Sequence, residues 1–223
     1  MKTLSSLVVD PGFALAFRTV QPAPAKPASL LVLLHGVGGN EENLAALGAD
    51  VGDDTLVVLP RGPITFAPGA FAWFRVAFTN DGPRIVASEA DASRLALIAF
   101  VGQLQQAHGV DAARTTIAGF SQGGILSASV ALTAPGRTGA FAVLAGRILP
   151  EIEPQLADAQ ALSSLRGFIA HGLHDEKLPV DWAHRADAWL TRLGVVHETN
   201  LYPAGHALDA AMRADFLAWL AGR

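Results

Sequence analysis

The sequence predicts an α/β fold, with a mostly parallel central sheet and helices on both of its faces. Short continuous apolar runs recur along the chain and alternate with segments of helical length. Apolar runs without polar alternation are typical of strands covered on both faces, as in parallel sheets. The alternation of such strands with helices indicates an α/β sheet.

Six runs are predicted to form the strands of this sheet, and proline, glycine or histidine directly follows each of them. Five runs are continuously apolar, whereas the sixth, at residues 195–202, alternates. The other five lie at residues 29–34, 55–59, 115–118, 141–145 and 167–170. Residues 13–20 are predicted to add a further strand near the sheet edge.

Four segments are predicted to form helices, at residues 89–108, 121–134, 179–193 and 208–220. The first helix is expected to end at Gly109, a residue type common just past helix C-termini. Its predicted buried face consists of Leu95, Ile98, Val101 and Leu104.

Composition excludes several classes of protein. The chain has 223 residues, of which 51% are hydrophobic and 16% charged, so it is not intrinsically disordered. A formal net charge of −4 gives no basic footprint, and we expect no nucleic-acid partner. The proline-rich stretch at residues 22–27 is too short for a domain linker, and no internal repeat is present. We therefore expect one domain over residues 1–223.

The chain contains no cysteine, which excludes disulfides, thiolate metal sites and a cysteine nucleophile. This composition fits a reducing compartment, and we expect the protein to be cytoplasmic. A membrane-spanning helix needs about 20 consecutive apolar residues, and a signal peptide needs roughly 7–15. The sequence contains neither, so we expect no stable membrane insertion.

The sequence GFSQGG at residues 119–124 has the context of a nucleophile elbow, because it follows a predicted strand and opens a predicted helix. A serine on such a strained turn projects its hydroxyl above the sheet, and Gly119 and Gly123 would relieve the crowding around it. The helix that follows directs its N-terminal N–H groups to the place where an oxyanion would form. We predict Ser121 as a nucleophile; the alternative is a chance match in a glycine-rich chain.

A second glycine-rich segment, LHGVGGN at residues 34–40, directly follows the first long apolar strand. Glycines let backbone N–H groups approach a ligand closely. We predict that the N–H of Val37 and the N–H of Gln122 form an oxyanion hole; the alternative is an ordinary strand-to-helix turn. The segment matches neither phosphate-binding glycine pattern.

A nucleophilic serine needs a base and a group that orients the base, and on this kind of sheet the chain order is serine, acid, histidine. His206 lies in a loop after the last predicted strand, from which it could reach Ser121. Asp175 lies just past the end of an earlier strand. We predict His206 as the base and Asp175 as the orienting acid, the alternative for Asp175 being a turn or helix-capping role.

His171, His174 and Asp175 also have the side-chain types of a metal site, which would support hydrolysis by a metal-bound water. At a strand end, however, this spacing does not bring the two imidazoles together. We expect neither a metal nor another cofactor, a backbone-bonding role for His171 and a surface position for His174.

Taken with these residues, the chain resembles the phospholipase/carboxylesterase family of α/β-hydrolases, which includes acyl-protein thioesterases and small bacterial carboxylesterases. The resemblance rests on residues 34–40, 60–63, 73–74, 119–124, 170–179 and 205–206. It implies the α/β-hydrolase fold and gives Ser121, Asp175 and His206 the roles assigned above. The chain departs from the family at Arg75, where an acid is frequent, and at Ala145, where serine is frequent.

The substrate is less sharply defined by the sequence. Phe66, Trp73 and Phe74 lie in an aromatic-rich segment that could line an acyl groove, or could pack a long loop onto the core. No insertion is long enough for a separate cap domain, which favours short to medium acyl chains. The prediction is a serine hydrolase of small carboxylic esters or thioesters; the alternative is a catalytically silent small-molecule-binding protein on the same scaffold. The sequence does not decide between a monomer and a homodimer.

Overall fold

The computed structural model describes residues 2–79 and 82–222, and a mixed, mostly parallel sheet of eight strands forms its centre. The strands in chain order are β1 (Thr3–Leu4), β2 (Phe17–Gln21), β3 (Ser29–Leu34), β4 (Thr55–Pro60), β5 (Ile64–Ala67), β6 (Ala70–Ala72), β7 (Val76–Thr79), β8 (Gly82–Ile85), β9 (Thr115–Phe120), β10 (Ala140–Leu144), β11 (Arg166–Gly172) and β12 (Val196–Tyr202). The central sheet has the order β1-β2-β4-β3-β9-β10-β11-β12.

The predicted fold class is confirmed. All six predicted runs are neighbouring strands of the central sheet, and from β4 to β12 every neighbouring pair is parallel. The predicted extra strand is β2, which starts later than expected because residues 11–14 form turns and bends. It pairs antiparallel with β1 and β4 at the edge of the sheet.

Six helices cover the sheet within the described residues: α1 (Ala45–Ala49), α2 (Ala87–His108), α3 (Gln122–Thr133), α4 (Ala159–Leu162), α5 (Asp181–Leu193) and α6 (Ala210–Ala221). The four predicted helices correspond to α2, α3, α5 and α6. The long α2 and α5 both end at a glycine in the left-handed conformation, Gly109 (φ 67°) and Gly194 (φ 71°). The C-terminal ends of these two helices are therefore marked in the sequence by a glycine.

Alternate residues of one strand enter two different cores, which explains the continuous apolar runs. Leu30, Val32 and Leu34 of β3 pack in the core shared with α2, α3 and α5. Leu31 and Leu33 pack in the core shared with α1 and α6. Helices therefore lie on both faces, and the part of the chain that the structure describes contains no separate cap domain.

The predicted buried face of α2 is wrong in part. Leu95 is 52% exposed, whereas Leu97, Phe100, Val101 and Leu104 are buried. Steps of three residues fall about 60° short of a full helical turn, so nine residues rotate the face by about half a turn. Leu95 and Leu104 consequently lie on opposite sides of the helix, and the i, i+3, i+4, i+7 set that starts at Leu97 faces the core.

The segment between β4 and α2, expected to be a long loop, contains two antiparallel hairpins, β5–β6 and β7–β8. The two hairpins form small sheets outside the central one, and Phe71 of β6 also forms an isolated bridge with Gly39. Such short strands carry little apolar periodicity by which a sequence could reveal them. None of the helices in residues 2–79 and 82–222 combines the length and apolar character needed to cross a membrane.

Candidate active site

Ser121, His206 and Asp175 form one hydrogen-bonded chain at the carboxyl ends of the parallel strands. Ser121 directly follows β9, Asp175 lies three residues past the end of β11, and His206 lies four residues past the end of β12. His206 Nε2 is 2.9 Å from Ser121 Oγ, and His206 Nδ1 is 2.7 Å from Asp175 Oδ2. The structure thus brings together three side chains that are separated by up to 85 residues in sequence.

The Asp175 carboxylate is buried and held in one orientation. Its Oδ1 accepts hydrogen bonds from the backbone N–H groups of Lys177 (2.9 Å) and Leu178 (2.8 Å). Its Oδ2 is thereby directed at His206. Because an ionised carboxylate only accepts hydrogen bonds, His206 Nδ1 carries the proton and Nε2 is free to accept the proton of Ser121.

The turn at Ser121 has the strained backbone expected of an elbow. Its φ of 54° lies in the left-handed region, which a residue with a side chain rarely adopts. A Cβ at Gly119 would lie 2.3 Å from the carbonyl carbon of Gly123, and a Cβ at Gly123 would lie 2.1 Å from the carbonyl oxygen of Leu34. Glycine is therefore required on both sides of Ser121 by contacts with backbone atoms, which cannot rotate away.

Val37 and Gln122, whose N–H groups were predicted to bind an oxyanion, lie at the same cleft as Ser121. Gln122 begins α3, where backbone N–H groups have no partner within the helix. Within residues 2–79 and 82–222, neither N–H donates a hydrogen bond to another residue. Both are available to a ligand oxygen.

The cluster around His171 is arranged as a support for this site. His171 is fully buried, and its Nε2 donates to the backbone carbonyl of Leu178 (2.8 Å) while lying 3.5 Å from Asp175 Oδ2. Burial lowers the pKa of His171, which favours the neutral imidazole. His174 is exposed. Among the residues that the structure describes, no group of three or more His, Asp or Glu side chains could hold a metal ion.

Sequence reasoning missed the role of the Gln122 side chain. Its Oε1 accepts from the N–H of Trp73 (2.8 Å), and its Nε2 donates to the carbonyl oxygen of Phe74 (2.6 Å). The indole of Trp73 donates in turn to the carbonyl oxygen of His35 (2.9 Å). The elbow, the segment at residues 73–74 and the glycine-rich loop are therefore tied together by buried polar contacts.

The three aromatic residues predicted to contact substrate lie in different environments. Phe74 lines the cleft beside Ser121. Trp73 is fully buried in the core and bonded to His35, so its side chain packs the loop rather than contacting the cleft. Phe66 lies on the β5–β6 hairpin, is 61% exposed and is not a lining residue of the cleft. Only Phe74 is placed where a substrate group could contact it.

Glu41, which follows the glycine-rich loop, is a buried carboxylate shared by two arginines. Arg61 binds it through two nitrogens (2.9 and 2.6 Å), and Arg18 Nε is 3.2 Å away. The Arg61 guanidinium also lies over the ring of Phe71, whose backbone pairs with Gly39 of the loop. The hydrogen bonds from Arg61 lower the pKa of Glu41 to about 2. This cluster fixes the loop that carries Val37.

We expect Glu41→Gln to lower the free energy of unfolding by about 1–3 kcal/mol at neutral pH. A carboxyl whose pKa falls from 4.5 to about 2 on folding stabilises the protein fully above its unfolded pKa. That contribution is lost as the pH falls from about 5 to 2, so the difference between wild type and variant should shrink over this range. Chemical denaturation at a series of pH values measures it.

Glu42→Gln is the matched control for this prediction. Glu42 is 57% exposed and pairs with Arg18 at 3.2 Å, so its loss should cost less than about 1 kcal/mol. Equal losses in the two variants, or a Glu41 effect that does not change with pH, would contradict the assignment of stability to the buried carboxylate.

The cleft beside Ser121 is narrow, and both apolar and cationic side chains line it. Its volume is about 30 Å³, and the β7–β8 hairpin contributes Val76 and Ile85 to its wall. Arg147 and Lys177 also line it, and none of the described lining residues is acidic. A larger cavity, of about 490 Å³, lies at the amino ends of the strands, and Ser121, Asp175 and His206 are not among its lining residues.

Comparisons with known proteins agree with this fold. The sequence profile of the phospholipase/carboxylesterase family matches residues 15–221. Over 201 residues the chain is 31% identical to the esterase YpfH of Escherichia coli (strain K12), covering 85% of this chain and 81% of YpfH. The fold is similar to that of a carboxylesterase from Mesorhizobium loti, with a TM-score of 0.82 and 25% identity over 98% of this chain and 100% of the other. For the esterase PE8 the TM-score is 0.80 and the identity 26%, over 90% and 95% of the two chains.

The family model, the curated relative and the two solved structures therefore lead to one assignment, and they confirm the resemblance seen in the sequence. The chain belongs to the phospholipase/carboxylesterase family of esterase-type hydrolases.

Proposed function

We propose that the chain is a serine hydrolase that cleaves carboxylic esters or thioesters of short to medium acyl chains through an acyl-enzyme. The observation that carries the proposal is the hydrogen-bonded chain from Ser121 through His206 to Asp175. Along the sequence the order is serine, acid and histidine, and all three lie at the carboxyl ends of the strands. Both features support the roles of nucleophile, orienting acid and base.

The geometry supports a two-step reaction. Ser121 Oγ attacks the substrate carbonyl as His206 Nε2 takes its proton, and Asp175 stabilises the imidazolium that forms. The N–H groups of Val37 and Gln122 bind the oxyanion. His206 then gives the proton to the departing alcohol or thiol, which leaves an acyl group on Ser121. Water, deprotonated by His206, attacks this acyl group, and the acid and free Ser121 are released.

The size of the cleft supports small substrates. A volume of about 30 Å³ accommodates one or two water molecules, so only a short group fits beside Phe74 and Ile125 without movement of the walls. The remainder of a substrate would extend along the open side of the cleft. We also propose a single catalytic domain and a cytoplasmic location, the latter supported by the absence of cysteine.

A fluorophosphonate probe tests the proposal directly, because the hydroxyl of an activated serine displaces its fluoride and becomes a phosphonate ester. We expect the wild type to be labelled and Ser121→Ala to remain unlabelled. Ser163→Ala is the control, since Ser163 is exposed and lies far from the site in sequence and fold; it should be labelled like the wild type.

Equal labelling of wild type and Ser121→Ala, or an unlabelled wild type, would contradict the proposal. An unlabelled wild type that turns over no ester or thioester but gains thermal stability with a small molecule would favour the alternative, a catalytically silent binding protein on this scaffold.

A further inference from the structure

Arg147 is a buried cation without a partner of opposite charge. It follows β10 by three residues, is 5% exposed, and its Nε has no hydrogen-bond partner. No carboxylate in residues 2–79 and 82–222 lies within ion-pair distance of it. A buried charge is costly to leave unpaired, and arginine does not avoid this cost by deprotonation.

The surroundings of Arg147 hold the side chain in place but do not neutralise it. Its guanidinium carbon lies 4.5 Å from the centre of the Trp182 ring, a favourable contact that keeps the charge. Burial lowers the pKa of Arg147, and the more distant Glu151 acts in the opposite direction. The side chain is thus fixed by packing while its charge stays available.

Arg147 belongs to the same cleft as the predicted nucleophile. It lines the space next to Ser121 and His206, together with the exposed Lys177. Asp175 is the carboxylate of this region, but its oxygens are occupied by His206 and by two backbone N–H groups. Among the described residues that line it, the cleft therefore has cationic side chains and no carboxylate, although the whole chain has a net charge of −4.

We propose that this cleft takes esters that carry a carboxylate, and that Arg147 is the residue that determines this specificity. The proposal rests on the proposed function, since it names the substrate class of that same site. A guanidinium matches a carboxylate with two parallel N–H···O hydrogen bonds, and the match is strongest where water is excluded. Lys177 adds a second, solvated positive charge at the rim. The carboxylate of the substrate supplies the partner that Arg147 lacks.

Two pairs of substrates test the proposal and separate the two places where the carboxylate could lie. The mono-p-nitrophenyl ester of glutaric acid is compared with p-nitrophenyl valerate, which has the same acyl length without the charge. In the second pair, 4-acetoxybenzoate is compared with its uncharged methyl ester. The carboxylate of 4-acetoxybenzoate lies on the leaving group instead of the acyl group. We expect the wild type to favour the charged member of at least one pair by about 10- to 100-fold in kcat/KM.

Arg147→Met removes the guanidinium charge and keeps an unbranched apolar side chain that fills part of its space, and should bring this preference ratio close to one. Arg185→Met is the matched control, because Arg185 also lies over Trp182, at 5.0 Å, but is exposed and does not line the cleft. It should keep the wild-type ratio. Melting temperatures establish that both variants fold. If Arg147→Met does not fold, glutarate should still inhibit the wild type competitively, and more strongly than pentanamide does.

The outcomes separate this inference from the proposed function. Wild-type turnover of the uncharged esters, lost in Ser121→Ala, supports the serine mechanism by itself. If that turnover is present but neither charged ester is preferred, or Arg147→Met keeps the ratio, carboxylate specificity is wrong and the mechanism stands. If neither esters nor thioesters, charged or uncharged, are turned over and the fluorophosphonate does not label the wild type, both proposals are wrong.

Discussion

Asp175→Asn is expected to lower kcat by about 10⁴-fold while leaving the fold intact. The reason lies in the two backbone N–H groups, of Lys177 and Leu178, that donate to one oxygen of the carboxylate. An asparagine must place its carbonyl oxygen toward these donors, because its amide nitrogen would face them donor to donor. The amide nitrogen is then directed at His206.

The consequence is that His206 takes the other neutral tautomer. His206 Nδ1, which donates to Asp175 over 2.7 Å, would have to accept a hydrogen bond from the new amide. The ring proton would then sit on Nε2, next to Ser121, and a protonated Nε2 cannot act as a base. The variant should therefore keep its melting temperature within a few degrees and lose the rate of acylation.

Steady-state turnover of an uncharged p-nitrophenyl ester measures this effect. Asp181→Asn is the control: Asp181 is an exposed aspartate at the start of α5, and its loss should change kcat by less than about twofold. A loss of only a few fold in Asp175→Asn would mean that another group orients His206, and His171, 3.5 Å from Asp175, would be the first candidate.

The proximity of Ser121, Asp175 and His206 could be predicted because each of these residues is marked by local signals. Ser121 lies between a strand and a helix in a glycine pattern, and Asp175 and His206 lie three and four residues past the ends of β11 and β12. The carboxyl ends of parallel strands share one edge of the sheet, so residues at these ends meet even when they are far apart in sequence. Strand ends and glycine turns are short-range features that a single sequence displays.

The supports of the site could not be predicted, because they depend on contacts without a local signature. The Gln122 side chain binds the backbone 49 residues earlier, and Glu41 meets arginines 23 residues before it and 20 residues after it. A charged residue in an apolar stretch, such as Arg147, gives no sign in the sequence of whether a carboxylate lies across from it. The sequence left open for the same reason whether the aromatic segment lines a groove or packs a loop onto the core, since this depends on contacts such as that of Trp73 with His35.

Gly123→Ala is expected to lower the free energy of unfolding by about 3 kcal/mol or more. The added Cβ would lie 2.1 Å from the carbonyl oxygen of Leu34 and 2.7 Å from that of His35, both backbone atoms of the neighbouring β3 segment. The clash can be relieved only by moving α3 away from the sheet, which would also displace Ser121 from His206. Chemical denaturation measures the loss, and fluorophosphonate labelling of any folded fraction measures the displacement.

Gly136→Ala is the matched control, because no heavy atom lies within 4 Å of a Cβ built there and its φ is not positive. It should change stability by less than about 1 kcal/mol. The sign of the stability change in Gly123→Ala is informative, since alanine within a helix is ordinarily favoured over glycine by about 1 kcal/mol. An unchanged or raised stability in Gly123→Ala would mean that the elbow does not need the close approach of α3 to β3. A large loss would mean that the glycine pattern around Ser121 is set by this packing, and that the geometry of the nucleophile depends on it.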